Sequence, residues 1–184
     1  MGRKRQFERE QVACTAMAVF WDKGFAETSL HDLEVATGVN KSGLYTEFRG
    51  KADLYLAALR YYLANRGTAA ILSAEPLGRD NLRHFLEIPE IGMNGRHGCF
   101  KINAMRELSI LPAEAAELIA ASQRRVEQLV IRNIEAGFPK ADAPAAAEVT
   151  MTFFSGLCLE RNLWLDPDVA RSKVTRFLEL LERA

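Results

Sequence analysis

The chain has 184 residues, 48% of them hydrophobic, and Lys plus Arg balances Asp plus Glu at 24 each. It can bury roughly 70% of its unfolded surface, and its overall charge marks no polyanionic partner. No apolar run approaches the roughly 18 residues that cross a bilayer, and the basic start Met-Gly-Arg-Lys-Arg-Gln leads into a charged segment, not a signal-peptide core. The expectation is a cytoplasmic protein without a membrane partner.

Charge is unevenly spread. Residues 1–9 carry Arg3, Lys4, Arg5 and Arg9 against Glu8, net +3, and residues 38–51 carry Lys41, Arg49 and Lys51 against Glu47, net +2. Residues 10–37 between them are net −4. Two positive islands are therefore available to meet phosphates. Val12, Ala16, Val19 and Phe20 recur at helical spacing and predict a first helix stopped at Gly24, with Phe25 behind to pack on its end. Ser29 is the expected N-cap of a second helix, Leu30 to Thr37, with Asp32 at its third position. Gly38 closes that helix, Val39 sits in the angle, and Asn40 caps a third helix from Lys41 to Phe48.

Two short helices hinged at a glycine have the shape of a helix-turn-helix, whose second helix enters the major groove with its leading residues at the base edges. Here those residues are Lys41, Ser42 and Gly43, followed by Tyr45 and Thr46. Lys41 can donate to guanine or phosphate, Ser42 can pair with several bases, and Gly43 lets the backbone approach the duplex. Ser29, Asn40 and the basic arm Arg3, Lys4 and Arg5 complete the expected DNA surface. Lys51, opening a fourth helix, is expected to meet a phosphate through its charge and the helix end.

That fourth helix is predicted from about Lys51 to about Glu75, roughly 37 Å long, ending before Pro76 and Gly78. Beyond it the pattern predicts helices over Arg79 to Ile88, Cys99 to Ile110, Ala113 to Ala136, Pro144 to about Trp164, and one opened by Asp166 and Pro167. No segment alternates with a period of two, so the chain is expected to be all-α. Val149, Thr152, Phe153, Gly156, Leu159 and Leu163 stripe one closing helix, and Val174, Phe177, Leu178 and Leu181 the other. Small residues such as Ala145, Ser155 and Gly156 suit close approach of a second subunit; closing the core of one subunit is the other reading.

The run Thr28-Ser29, Asp32-Leu33, Ala36-Thr37-Gly38-Val39, Gly43-Leu44-Tyr45, Phe48 and Lys51-Ala52-Asp53-Leu54 resembles the DNA-binding domain of the tetracycline-repressor (TetR) family, over about residues 8–60. The resemblance implies an N-terminal three-helix helix-turn-helix domain, residues 1–50. A long fourth helix would join it to a C-terminal helical ligand-binding and dimerisation domain, residues 51–184, about nine helices in all. It implies a homodimer through the last two helices, bound to a palindromic double-stranded operator and released by an unidentified small-molecule effector. Two positions depart from the family pattern: Glu47, which phosphate would repel unless it turns away or pairs with Arg49, and Glu34, which needs solvent or a partner at the helix crossing.

A pocket between about Arg79 and Trp164 would be lined by Phe85, Ile88, Met93, Phe100, Ala104, Leu108, Phe153 and Phe154. Asn103 and Glu107, four apart, are expected on the face shared by Phe100, Ala104 and Leu108, either bonding between helices or orienting a ligand. Cys99, after Arg96 and His97, sits where a thiol can become reactive, so a regulator sensing oxidants or electrophiles through Cys99 is the alternative to a metabolite-responsive one. Cys14, Cys99 and Cys158 form no Cys-x-x-Cys pair and the three histidines no ligand spacing, so neither metal nor cofactor is expected. A helical carrier or enzyme finds no phosphate loop or nucleophile elbow to support it.

Overall fold

The computed structural model describes residues 8–92, 95–96, 98–161 and 166–183. These contain ten helical segments: α1 (Arg9–Glu27), α2 (Leu30–Thr37), α3 (Lys41–Glu47), α4 (Lys51–Asn65), α5 (Thr68–Leu72), α6 (Arg79–Ile91), α7 (Phe100–Met105), α8 (Ala113–Gly137), α9 (Ala143–Glu160) and α10 (Pro167–Arg183). No strand occurs among the described residues. The all-α expectation holds.

Three helix boundaries differ from the sequence reading. The helix predicted over residues 51–75 is broken at Gly67, whose φ of 80° lies in the left-handed region, leaving α4 and the short α5. Only a residue without Cβ takes that conformation at little cost. The helix predicted over Cys99 to Ile110 ends at Met105. Its continuation tightens, with Arg106 N–H donating to the Asn103 carbonyl at 3.2 Å and Glu107 N–H to Ala104 at 3.0 Å, a three-residue repeat that cannot hold an i, i+4 face. Pro89, expected to end α6, is instead accommodated within its last turn.

The chain divides into two compact units, residues 1–65 with 103–120 and residues 66–102 with 121–184. In the first of them α4 packs along α1.

In the first unit, Val12, Ala13, Ala16, Met17, Phe20 and Trp21 of α1 are buried, facing Leu54, Tyr55, Ala58, Leu59 and Tyr62 of α4. Edge-to-face contacts knit the two helices: Phe20 to Tyr55 at 5.0 Å and Trp21 to Tyr62 at 5.2 Å. Such pairs add about 0.5–1.5 kcal/mol beyond their burial.

In the second unit α6 packs on α5, α9 and α10. Its buried Leu82, Phe85 and Leu86 share a core with Met151 and Phe154 of α9 and Val174, Phe177 and Leu178 of α10. Asn133, fully buried, holds three backbone groups at once: it donates to the carbonyls of Leu72 and Leu129, each at 2.8 Å, and accepts from Gly78 N–H at 2.9 Å. Arg66 fastens the end of α6 and the loop after it, donating to the carbonyls of Ile88, Gly92 and Gly98 at 2.7, 2.6 and 3.3 Å.

Candidate nucleic-acid interface

The two short helices are closed by their own side chains. The Ser29 hydroxyl accepts from Asp32 N–H at 3.1 Å while Asp32 accepts from Ser29 N–H at 2.8 Å, a reciprocal capping box that satisfies two free amides of α2. Lys23 reaches the same carboxylate at 2.5 Å. That lysine first, and Ser29 second, hold the Asp32 carboxyl well below the ordinary range. Gly38 takes φ 67° and donates its N–H to the Glu34 carbonyl at 2.9 Å, turning the chain sharply at the end of α2.

Asn40 then caps α3, accepting from Gly43 N–H at 2.9 Å. The Glu34 carboxylate accepts from the Lys41 N–H, so the acid that departs from the family pattern is a second cap on α3, at the positive end of the helix.

Helical geometry divides α3 into two faces. Leu44 and Phe48 are buried at 2% exposure each, with Val39 buried in the angle, a contribution of roughly 1.5–3 kcal/mol for each large side chain. Lys41, Ser42, Tyr45 and Thr46 are all exposed, Tyr45 by 51%. Lys41 lies one turn before Tyr45, its ammonium 5.9 Å from the ring centre, and the Thr46 hydroxyl donates to the Ser42 carbonyl at 2.8 Å. Gly43 is half-buried. Ser29 has its hydroxyl proton on Asp32, at 2.7 Å, and Asn40 its carbonyl oxygen on the helix it caps, so both position helices as well as edging the surface. Arg3, Lys4 and Arg5 lie outside the described residues.

Arg9 was not singled out for contact, yet it fastens the far end of α3. It donates to the Glu47 carbonyl, pairs with Asp53 at 3.6 Å and stacks on the Phe48 ring at 4.2 Å. Only its position in the positive arm pointed to it.

Lys51 opens α4, and its side chain turns back onto the end of α1. Its ammonium donates to the carbonyls of Phe25 and Thr28, each at 2.9 Å, lies 3.5 Å from that of Ala26, and sits 4.5 Å from the Phe25 ring centre. Those groups engage its N–H donors, and in this arrangement Lys51 is an internal clamp on the end of α1.

Glu107 meets the same stretch of backbone. Its two carboxylate oxygens accept from Phe25 N–H at 2.8 Å and Ala26 N–H at 3.1 Å, beside Gly24, whose φ is 79°. It belongs to the first unit and bonds the last turn of α1. Burial, and secondarily the Glu107 charge, push the Tyr55 hydroxyl above the usual phenol range. Leu108, expected to line a pocket, is exposed at 36% because α7 ends before it.

Of the other residues expected around a ligand, Phe85, Ile88, Cys99, Phe100, Ala104 and Phe154 are buried. Phe85 stacks on Phe154 at 4.4 Å, whereas Phe153 stacks on Phe177 at 4.3 Å, so the adjacent phenylalanines face different neighbours. The Asn103 side-chain oxygen is buried without a hydrogen-bond partner among the described residues. Met93 and His97 lie outside them. No cluster of metal-binding side chains is present among the described residues, and no helix there is long and apolar enough to cross a membrane.

Residues 15–58 match the family model described as bacterial regulatory proteins, tetR family. The chain is 32% identical over 170 residues to the transcriptional regulator AcuR of Cereibacter sphaeroides, covering 85% of this chain and 77% of that protein. It is 28% identical over 170 residues to the HTH-type transcriptional repressor ComR of Escherichia coli, covering 86% and 81%. Its fold matches a cysteine mutant of the TetR family transcriptional regulator CifR, complexed with a 26-base-pair double-strand operator, with a TM-score of 0.81 at 24% identity over 97% of this chain and 98% of that one.

Proposed function

Because the chain belongs to the TetR family and is a DNA-binding transcriptional regulator, we propose that it binds operator DNA as a homodimer through the exposed face of α3 and acts as a repressor. The observation that carries this reading is the division of α3: Leu44 and Phe48 anchor it while Lys41, Ser42, Tyr45 and Thr46 project from the same short helix. Side chains of that kind at a leading turn read major-groove edges. Gly43 between them admits the backbone.

The pairing surface in this reading is formed by α9 and α10. Ala145, Val149, Thr152, Gly156 and Leu159 are exposed at alternating spacings of four and three along α9, and Val169 and Leu180 are exposed on α10. An apolar seam of that period, with small residues in it, suits a helix from a second copy. Two copies would address half-sites about 34 Å apart on one duplex. Arg3, Lys4 and Arg5 belong to this reading as phosphate contacts from the arm.

A small-molecule effector is part of the proposal. It is supported by the unpartnered Asn103 oxygen, since a buried polar atom left unbonded is uncommon and a ligand donor would satisfy it.

The test is selection of a preferred site from random duplexes, followed by titration of affinity against salt. Specific binding by several phosphate contacts gives a log–log slope of about −0.9 per contact. A palindromic selected site and a steep slope are the expected results. A flat salt response, or a half-site bound by one copy, would sink the dimeric reading. Val149→Glu with Leu180→Glu should give a monomer by sedimentation and weak operator binding.

A further inference from the structure

The end of α3 opposite its leading turn borders a cleft. It has a volume of about 420 Å³ and is walled by Arg9, Tyr45, Thr46, Glu47, Arg49 and Asp53. All of them lie in the first unit. Tyr45 and Thr46 belong to the exposed face of α3, so the cleft continues that face past the last turn of the helix.

Arg49 is fixed at this edge by its backbone and left open at its tip. Phe48 before it is buried and donates its N–H to the Leu44 carbonyl at 2.8 Å, and the Arg49 N–H donates to the Asp53 carboxylate at 3.1 Å. The residue is exposed, and its guanidinium has no partner among the described residues. Arg9, also in the wall, is by contrast engaged with the Glu47 carbonyl, with Asp53 at 3.6 Å and with the Phe48 ring.

We propose that this cleft seats one phosphate of the operator backbone, on the Arg49 guanidinium. The proposal rests on the DNA-binding reading above and adds a contact at the trailing end of α3 to those at its leading turn. α3 has seven residues and is roughly 10 Å long, against a major groove about 12 Å wide. With Lys41 and Ser42 at the base edges, the trailing end comes within reach of the backbone that walls the groove, where contacts fix the register of a reading helix.

Charge decides how the phosphate is recognised. Arg9 and Arg49 stand against Glu47 and Asp53, so the cleft is near neutral from a distance and draws no anion by its field alone. What remains is the planar fork of Arg49, whose parallel N–H groups match two phosphate oxygens. Such a cleft holds a phosphate that the rest of the duplex interface brings to it, and is not a receptor for the free ion.

The test measures binding of the full chain to its selected duplex, with single phosphates replaced one at a time by neutral methylphosphonates. Several linkages should lose affinity in the unmutated chain. In Arg49→Ala one of them per half-site should become indifferent to the replacement, while the others keep their losses. Arg49→Ala should itself weaken binding about tenfold, as for a hydrogen bond to a charged group, on selected and scrambled duplexes alike. Its salt slope should be shallower by about 0.9 for each copy bound. Arg49→Lys, which keeps the charge and loses the fork, should keep the slope and recover only part of the affinity. Both variants should unfold in urea at the unmutated midpoint, because the side chain is exposed and the bond to Asp53 is made by the backbone.

Arg49→Ala with unchanged affinity, salt slope and methylphosphonate profile overturns the proposal and leaves the DNA-binding reading standing. Weakening confined to the selected duplex, at an unchanged slope, also overturns it and makes Arg49 a reader of bases. An unmutated chain that binds no duplex overturns the DNA-binding reading itself, and the proposal falls with it. Inorganic phosphate should displace the duplex no better than sodium chloride at equal ionic strength; stronger displacement, lost in Arg49→Ala, would make the cleft a site for the free ion and overturn its assignment to the duplex.

Discussion

Lys51 and Glu107 grip the same stretch of backbone by its opposite poles: the ammonium takes the carbonyls of Phe25 and Thr28, and the carboxylate takes the N–H groups of Phe25 and Ala26. The stretch is the turn after Gly24 that aims α2, and through α2 the reading helix. Charged side chains close it because a turn of this kind leaves backbone groups without helical partners, and hydrogen bonds to ions are about twice as strong as neutral ones.

Substituting either residue should loosen this turn. Lys51→Ala and Glu107→Ala are each expected to cost about 1–3 kcal/mol, the range for hydrogen bonds to charged groups, measured by urea unfolding. Because both act on one segment, the double variant should lose less than the two singles together. The salt slope of operator binding should be unchanged in Lys51→Ala, since that ammonium is occupied internally; a slope smaller by about one phosphate contact would restore Lys51 to the interface.

The exposed face of α3 makes the opposite prediction. Ser42→Ala and Tyr45→Ala should leave the urea midpoint unchanged, because neither side chain is buried, and should weaken binding to the selected duplex by about 1–3 kcal/mol if they read bases. Equal weakening on the selected and scrambled duplexes would assign them to backbone contact.

Asn133 is a purely structural test within the second unit. Asn133→Leu keeps the branched outline of the side chain but leaves Gly78 N–H and the Leu72 carbonyl without their partner, at an expected cost of about 1–3 kcal/mol for each orphaned group. Unfolding should shift to lower temperature with the helix content retained.

Lys101 gives a pH dependence. Burial is the main cause that lowers its pKa in the folded chain, so between the folded value and the unfolded 10.5 the unfolded chain binds the extra proton. Stability then rises with pH across that window and is reduced below it. Lys101→Met should remove this rise, most visibly in stability curves from neutral pH to about pH 10.5. An identical slope in the variant would mean that Lys101 stays charged in the fold.

The helix-turn-helix was legible in the sequence because its signals are local. Ser29, Gly38 and Asn40 act on amides within three or four residues, and Leu44 and Phe48 declare the buried side by helical spacing alone. The fates of Lys51, Glu107 and Glu34 were not legible, since each depends on a group brought near by folding: a turn 26 residues before Lys51, amides 82 and 81 residues before Glu107, the next helix's first N–H. Periodicity and capping set which helices form and which faces they bury. Only the packing of α1 on α4, and the tightening of the chain after Met105, decided which charges remain free to meet DNA and which are spent holding the backbone that presents α3, because an unpaired backbone group recruits whatever ion the fold brings within reach.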